Sequence, residues 1–233
     1  MSIAYTFEDS VVLITGATGA LGSATVEAFL EGGATVAAAD VVPPDADDSL
    51  LAIDHDRLST HVADFTEEDA VERVVSDVID DHGRLDALVS VAGTWRGGTP
   101  IEETDVETFE LLFAVNLRTA FLSAKHTLPH LRETSGSIVT VSARSSLEGG
   151  SGDGPYRASK AGVRLLTDSI AAENEGSVRA NSIMPNVIDT PANREAMPDA
   201  DHDSWTDPAD IADVIKFLCS DGADPISGAA IPV

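Results

Sequence analysis

The sequence predicts a single α/β domain, a doubly wound parallel sheet with helices on both faces. Three observations predict it. Short apolar runs rich in Val, Ile, Leu and Ala alternate with amphipathic stretches of helical period. The stretches between strands are long enough for helical crossovers, which parallel pairing requires. No internal repeat or linker composition interrupts residues 1–233, a length suited to one domain with a substantial core.

The elements follow in order. Val11-Val12-Leu13-Ile14-Thr15 reads as the first strand. Ala20 to Glu31 reads as a helix ended by Gly32-Gly33. Thr35 to Ala39 is the second strand, closed by Asp40, and a polar loop with Pro43-Pro44 follows. His61-Val62-Ala63 is a short third strand. Thr66 is expected to cap a helix with an acidic first turn that runs to about Asp81. Ala87 to Val91 is the fourth strand, and two helices follow, near Glu103–Phe113 and Leu117–Leu131. Ser137 to Val141 is the fifth strand. A Gly/Ser-rich loop, Ser145 to Gly154, then leads into a helix carrying Tyr156. Val178 to Met184 is the sixth strand. Asp189 to Asp207 reads as a lid segment, Pro208 to Ser220 as the last helix, and Gly228 to Val233 as the last strand.

Composition narrows the function. Forty acidic residues against fourteen basic ones give a formal net charge of −26. Such a charge repels nucleic acid and anionic membranes, so neither is expected as a partner. The acids are spread through the chain, and lysine occurs only at 125, 160 and 216. A carboxylate-rich surface with few lysines suggests a cytoplasm of very high salt, a halophilic setting in which screening removes most of the self-repulsion. The N-terminal run Met1-Ser2-Ile3-Ala4-Tyr5-Thr6-Phe7 has neither a basic region nor a long apolar one, so no export signal is read there. No apolar run reaches membrane-spanning length. A single cysteine, Cys219, in an apolar helical stretch excludes an internal disulfide and fits a buried thiol in a reducing compartment.

Two motifs carry the chemistry. Thr15-Gly16-Ala17-Thr18-Gly19-Ala20-Leu21-Gly22 joins the first strand to the first helix. Glycines there let the backbone turn tightly and approach a pyrophosphate at the positive helix N-terminus. Gly16, Thr18, Gly19, Leu21 and Gly22 are therefore candidate cofactor residues. Asp40 lies eighteen residues past Gly22, at the end of the second strand. A carboxylate there accepts from both ribose hydroxyls and repels a 2′-phosphate, which favours NADH over NADPH. The second motif is Tyr156-Arg157-Ala158-Ser159-Lys160. Four residues apart on a helix, Tyr156 and Lys160 share a face. An ammonium beside the phenol is expected to lower its pKa toward neutrality, giving a proton donor suited to carbonyl or imine chemistry.

Together these residues resemble the short-chain dehydrogenase/reductase superfamily, which has a Rossmann-like fold. Val91-Ala92-Gly93 after the fourth strand and Asn116 in Val115-Asn116-Leu117 stand in the family's order. The resemblance implies hydride transfer to or from a nicotinamide, with Tyr156 exchanging the proton and Lys160 holding the nicotinamide ribose. It implies that Asn116 supports a water relay behind the lysine. It assigns Asp64 and Phe65 to the adenine, and Ala92, Gly93, Ile188 and Thr190 to the cofactor, with Ile188 and Thr190 holding the nicotinamide amide. It also implies a homodimer or homotetramer paired through the helices around Leu117–Leu131 and Tyr156–Ala172.

One departure stands out. The family usually has a serine thirteen positions before the tyrosine, and here that position is Ala143. Either Ser142 or Ser145 substitutes, or the substrate needs no such donor, or hydride chemistry has been lost. Within the superfamily the chain looks most like quinonoid dihydropteridine reductase, which also has alanine there. Gly19-Ala20-Leu21-Gly22-Ser23, Val91-Ala92-Gly93-Thr94-Trp95 and Asp189-Thr190-Pro191-Ala192-Asn193-Arg194 carry that likeness. A quinonoid dihydropterin is an electrophilic conjugated imine, and Tyr156 alone can supply its proton. The expected activity is thus NADH-dependent reduction of a small conjugated ring, with a general alcohol/ketone dehydrogenase and a silent NAD-binding regulator as alternatives. Trp95 is the candidate ring platform. Arg144, with Arg96, is a candidate for an anionic substrate group or a surface ion pair. His126 and His130 have metal-compatible spacing but no evident third ligand, so no metal is expected.

Overall fold

The computed structural model describes residues 5–233. Seven parallel strands form one sheet in the order β3-β2-β1-β4-β5-β6-β7. They are β1 (Val11–Thr15), β2 (Thr35–Asp40), β3 (Leu58–Val62), β4 (Ala87–Ser90), β5 (Ser137–Val141), β6 (Arg179–Met184) and β7 (Ala230–Pro232). The helices are α1 (Ala20–Glu31), α2 (Glu68–His82), α3 (Val106–Leu112), α4 (Thr119–Thr134), α5 (Gly154–Glu173), α6 (Pro191–Ala196) and α7 (Pro208–Cys219).

The alternation of β1 explains the two layers. Val12 and Ile14 face one side, where they pack with Val26 and Phe29 of α1 and Ile211, Ile215 and Leu218 of α7. Val11 and Leu13 face the other, with Val71, Val74 and Val78 of α2, Leu122 and Leu131 of α4 and Ile170 of α5. A strand buried on both faces reads as a continuous apolar run, which is how Val11–Thr15 stands out in the sequence. Strand order reverses between β1 and β4, so the carboxyl ends of those strands flank the crevice where ligands enter such sheets.

Several local expectations shift. The third strand lies earlier, at Leu58–Val62, because it pairs in register with Val36–Asp40. Thr66 does not cap α2. Its backbone N–H and hydroxyl both donate to Asp64 Oδ1, at 2.9 and 2.7 Å, and α2 starts after Glu67. The helices expected around Glu103–Phe113 and Leu117–Leu131 are continuous. Asp105 caps α3, accepting from Thr108 N at 2.5 Å, and the segment Phe113–Arg118 is a π-helical turn running directly into α4. Such widened turns recur at functional sites, and this one carries Asn116.

The expected lid is closed at its base by an isolated β-bridge. Ile188 bridges to Thr206, with Asp189 N donating to Thr206 O at 2.9 Å and Thr206 N donating to Val187 O at 3.1 Å. Between these anchors lie α6 and the short 3₁₀ turn His202–Ser204. No helix among the described residues is long and apolar enough to cross a membrane.

Candidate active site

The glycine turn after β1 is shaped by close approach. Gly16 has φ +68°, and a Cβ on it would lie 2.7 Å from Ala92 N, so this corner admits only glycine. A Cβ on Gly22 would fall 1.9 Å from Gly16 O, because α1 leaves the turn by packing directly against it. Gly19 is the N-cap of α1 and offers no side-chain cap, so the first N–H groups of the helix keep their capacity for an anion. Thr18 and Leu21 are buried, and Leu21 packs into the core, so only the backbone of Leu21 is available to a ligand.

Asp40 ends β2 beside this turn. Its Oδ2 accepts from Thr18 N at 3.0 Å and from Thr18 Oγ1 at 2.7 Å, and its Oδ1 accepts from Val41 N and Val42 N. The carboxylate thus fixes the glycine turn. Sequence reading anticipated its position but not its bond to Thr18, which joins residues 22 positions apart. These features fit a dinucleotide: a glycine cradle, an open helix N-terminus and an acceptor at the end of the second strand.

Around the cofactor end, the residues assigned by resemblance separate into two groups. Asp64 is exposed beside the sheet end, whereas the Phe65 ring is buried in the core with Val71 and Val75. Phe65 therefore has only its backbone to offer a ligand. Ala92 N donates to Thr15 Oγ1 at 3.3 Å, which holds the β4 end against the glycine turn. Ile188 packs against the core, and Thr190 caps α6 by accepting from Asn193 N at 3.1 Å, so in this conformation its hydroxyl is engaged.

Tyr156 and Lys160 lie on α5, which packs against β6 and the π turn. Lys160 is buried, and its Nζ donates to Val141 O at 2.9 Å at the end of β5. A Cβ on Gly93 would lie 2.9 Å from Lys160 Nζ and 3.1 Å from Asn116 Oδ1, so a side chain there would crowd both groups. Asn116 is buried too. Its Oδ1 accepts from Thr94 N at 2.7 Å, and its Nδ2 donates to Thr94 O and to Ser159 Oγ, both at 3.0 Å. Ser159 in turn donates to Tyr156 O at 2.8 Å. Asn116 thus splices the loop after β4 to the tyrosine helix. Its side chain is occupied by that work, and sequence reading missed Ser159 as the link.

The charge states differ from the expectation of an acidified phenol. Burial pushes Tyr156 up to about 12, Asp153 adds to the rise and Arg157 opposes it. Burial pushes Lys160 down to about 8. The ammonium is turned to the Val141 carbonyl and desolvated, so in the free protein it does not activate the phenol. A neutral phenol is a proton donor, the role reduction requires.

Ser142 is also corrected. Its Oγ donates to Lys160 O at 2.8 Å and contacts Ser146 Oγ at 3.2 Å inside the core. It secures α5 to β5 and presents no hydroxyl to a substrate in this conformation. Ala143 is buried beside it, while Ser145 is partly exposed on the short 3₁₀ turn that follows. Trp95 is 55% exposed, its ring lying over Gly97, and Arg144 is exposed with its backbone N–H on Pro185 O. Arg96 donates to Thr94 Oγ1 and Trp95 O. His126 and Lys125 both bond Glu68, so His126 ties α4 to α2.

The depressed Lys160 pKa makes stability depend on pH with a definite sign. Between about 8, its value in the fold, and 10.5, its ordinary value, the unfolded chain binds the extra proton. Stability from this group is present above that window and lost as pH falls through about 8. Relative to Lys160→Met, the wild-type urea midpoint should therefore rise as pH climbs from 8 to 10.5. A difference that stays flat across that window would show that Lys160 is not desolvated.

Residues 10–201 match the family described as short chain dehydrogenase. The chain is 31% identical over 239 residues to a 3-oxoacyl-[acyl-carrier-protein] reductase of Thermotoga maritima, covering 97% of this chain and 96% of that protein. It is 32% identical over 237 residues to meso-2,3-butanediol dehydrogenase of Serratia marcescens, covering 97% and 94%. The crystal structure of a 3-ketoacyl-(acyl-carrier-protein) reductase from Brucella melitensis complexed with NADH superposes with a TM-score of 0.87, at 26% identity, over 98% of each chain. The glycine cradle, the Tyr156–Lys160 helix and this near-complete likeness agree: the chain belongs to the short-chain dehydrogenase family of NAD(P)-dependent oxidoreductases.

Proposed function

We propose that this chain is an NADH-preferring oxidoreductase that interconverts a small ketone and a secondary alcohol, with Tyr156 as the proton donor. The observation that carries the reading is spatial. Tyr156 and Lys160 stand at the same carboxyl end of the sheet as the glycine cradle of Gly16, Gly19 and Gly22. A reduced nicotinamide held by the glycine cradle and Asp40 would supply the hydride for carbonyl reduction. Tyr156 gives its proton to the carbonyl oxygen, and Lys160 anchors the nicotinamide ribose beside it. Asn116 fixes the loop after β4 against α5. The names of the relatives, which are ketone reductases and alcohol dehydrogenases, support a carbonyl or carbinol substrate. Ser145 is the substitute hydroxyl, because Ser142 is engaged with Lys160 O.

One observation favours a second reading, reduction of a conjugated ring imine such as a quinonoid dihydropterin. Ala143 offers only a methyl group, and an already electrophilic imine needs no donor there. Trp95, exposed at the carboxyl end of β4, suits a flat ring. A panel of acetoin, cyclohexanone, a 3-oxoacyl thioester and a quinonoid dihydropterin separates the readings. Ser145→Ala should impair ketone reduction and spare imine reduction. Tyr156→Phe should cut turnover at least about a hundredfold, the scale of a lost general acid, while leaving the coenzyme Kd nearly unchanged. Retained turnover in Tyr156→Phe would reject both readings.

Asp40 supports the choice of coenzyme, since a second negative charge at its oxygens would be repelled. Asp40→Ser should raise kcat/KM for NADPH relative to NADH by roughly tenfold or more in steady-state assays. An unchanged ratio would remove Asp40 from coenzyme selection.

A high-salt, reducing cytoplasm suits the net charge of −26 and the buried Cys219 thiol, which burial pushes up to about 11. Thermal unfolding should shift upward between dilute buffer and molar KCl, where the screening length falls to about 3 Å. An unchanged midpoint would count against salt adaptation. Homo-oligomerisation is supported by an apolar groove of about 850 Å³ lined by Phe109, Phe113, Leu117, Phe121 and Leu166 on α3 to α5.

A further inference from the structure

We propose that Arg157, the neighbour of the reacting tyrosine, is a positioning residue that fastens the substrate-covering loop and, through it, the Trp95 loop. Arg157 sits in the first turn of α5, and its side chain is turned back over residues 144–153. Its Nε donates to Asp153 Oδ1 at 2.6 Å, and its Nη1 approaches Ser145 O and Glu148 O, each at 3.3 Å. Asp153 holds the N-cap position of α5 yet makes no side-chain cap bond, so its carboxylate is given to the guanidinium instead. Both side chains are mostly shielded, 22% and 16% exposed.

An ion pair four residues apart on a helix surface would carry little by itself. The difference here is convergence on backbone. A Cβ on Gly150 would lie 2.2 Å from Arg157 Cζ, so the loop at Gly150 runs directly against the guanidinium. Gly149, one residue earlier, has nothing within 4 Å of such a position. A planar fork with several donors can hold Asp153, Ser145 and Glu148 together, and a lysine ammonium cannot reproduce that geometry.

The fastening extends to the opposite wall. Gly98 N donates to Gly152 O at 2.7 Å. A Cβ on Gly97 would meet Trp95 Cζ2 at 2.9 Å, Gly152 O at 3.0 Å and Asp153 Cβ at 3.2 Å. The indole, Gly97, Gly152 and Asp153 are thus stacked, and Arg157 closes the stack from behind. Ser145, held through its carbonyl, is the partly exposed hydroxyl nearest Ala143 in sequence. One guanidinium therefore sets the placement of both the ring platform and the substitute hydroxyl.

The kinetic part of this assignment rests on the Tyr156 site being the reacting centre; its structural part does not. In a Trp205→Phe background, Trp95 is the sole indole, and acrylamide quenching of its fluorescence reports loop closure without any substrate. Arg157→Met should raise the quenching constant at least about twofold, with Arg157→Lys recovering only part of the change. Gly150→Ala should reproduce the effect and add nothing to Arg157→Met, whereas Gly149→Ala should match the parent. With cyclohexanone as probe, Arg157→Met and Gly150→Ala should raise KM roughly tenfold, with the coenzyme KM within about twofold. Unchanged quenching in Arg157→Met, or additive effects of Gly150→Ala and Arg157→Met, would overturn the assignment. So would equal losses in coenzyme and substrate KM, which mark a general loss of folding. If no ketone in the panel turns over, the proposed reaction fails and the quenching series alone decides the role of Arg157.

Discussion

A lysine ammonium buried beneath the carboxyl ends of β4 and β5 is the constraint around which this site is built. Lys160 Nζ has Val141 O as its acceptor, and burial holds its pKa far below the ordinary value. Burying such a group without partners is costly, so the surroundings are arranged to admit it. Gly93 leaves the space, Ser142 secures the Lys160 carbonyl to the end of β5, and Asn116 lies against the same glycine. The glycine, the π turn and the inward serine are therefore parts of one arrangement, tied to the placement of a single charge.

The same arrangement accounts for the state of Tyr156. The phenol is desolvated, and the Asp153 charge adds to the effect, so it stays protonated across the neutral range. The phenol of Tyr156 thus keeps its proton in the free protein. Proximity of Tyr156 and Lys160 along a helix does not by itself couple them. Coupling depends on where the ammonium points, and here it points to a carbonyl.

The serines on either side of Ala143 differ in burial. Ser142 faces inward and performs a structural task, while Ser145 lies partly exposed on the following 3₁₀ turn. The loop that carries Ser145 is anchored by Arg157, Asp153 and Gly150, and is joined through Gly152 to the wall bearing Trp95. The loop after β4 and the loop before α5 are thus both connected to the first turn of α5.

The sequence by itself determined the layered fold, the order of its elements and the two motifs, because each is written in local signals. These are continuous apolar runs for strands buried on both faces, helical periodicity between them, and glycines where a backbone must turn or be approached. It marked Gly16, Gly22, Asp40, Tyr156 and Lys160 for the same reason. Tertiary structure decided where the side chains of Phe65, Ser142 and Lys160 point, that Thr66 serves Asp64 instead of α2, and that the helices around Asn116 merge through a π turn. It also decided the partners of Asn116 and Arg157. Those outcomes depend on pairings across the chain, such as Thr94 with Asn116 and Val141 with Lys160, and on the cost of burying a charge. Neither quantity is expressed in the residues of one segment.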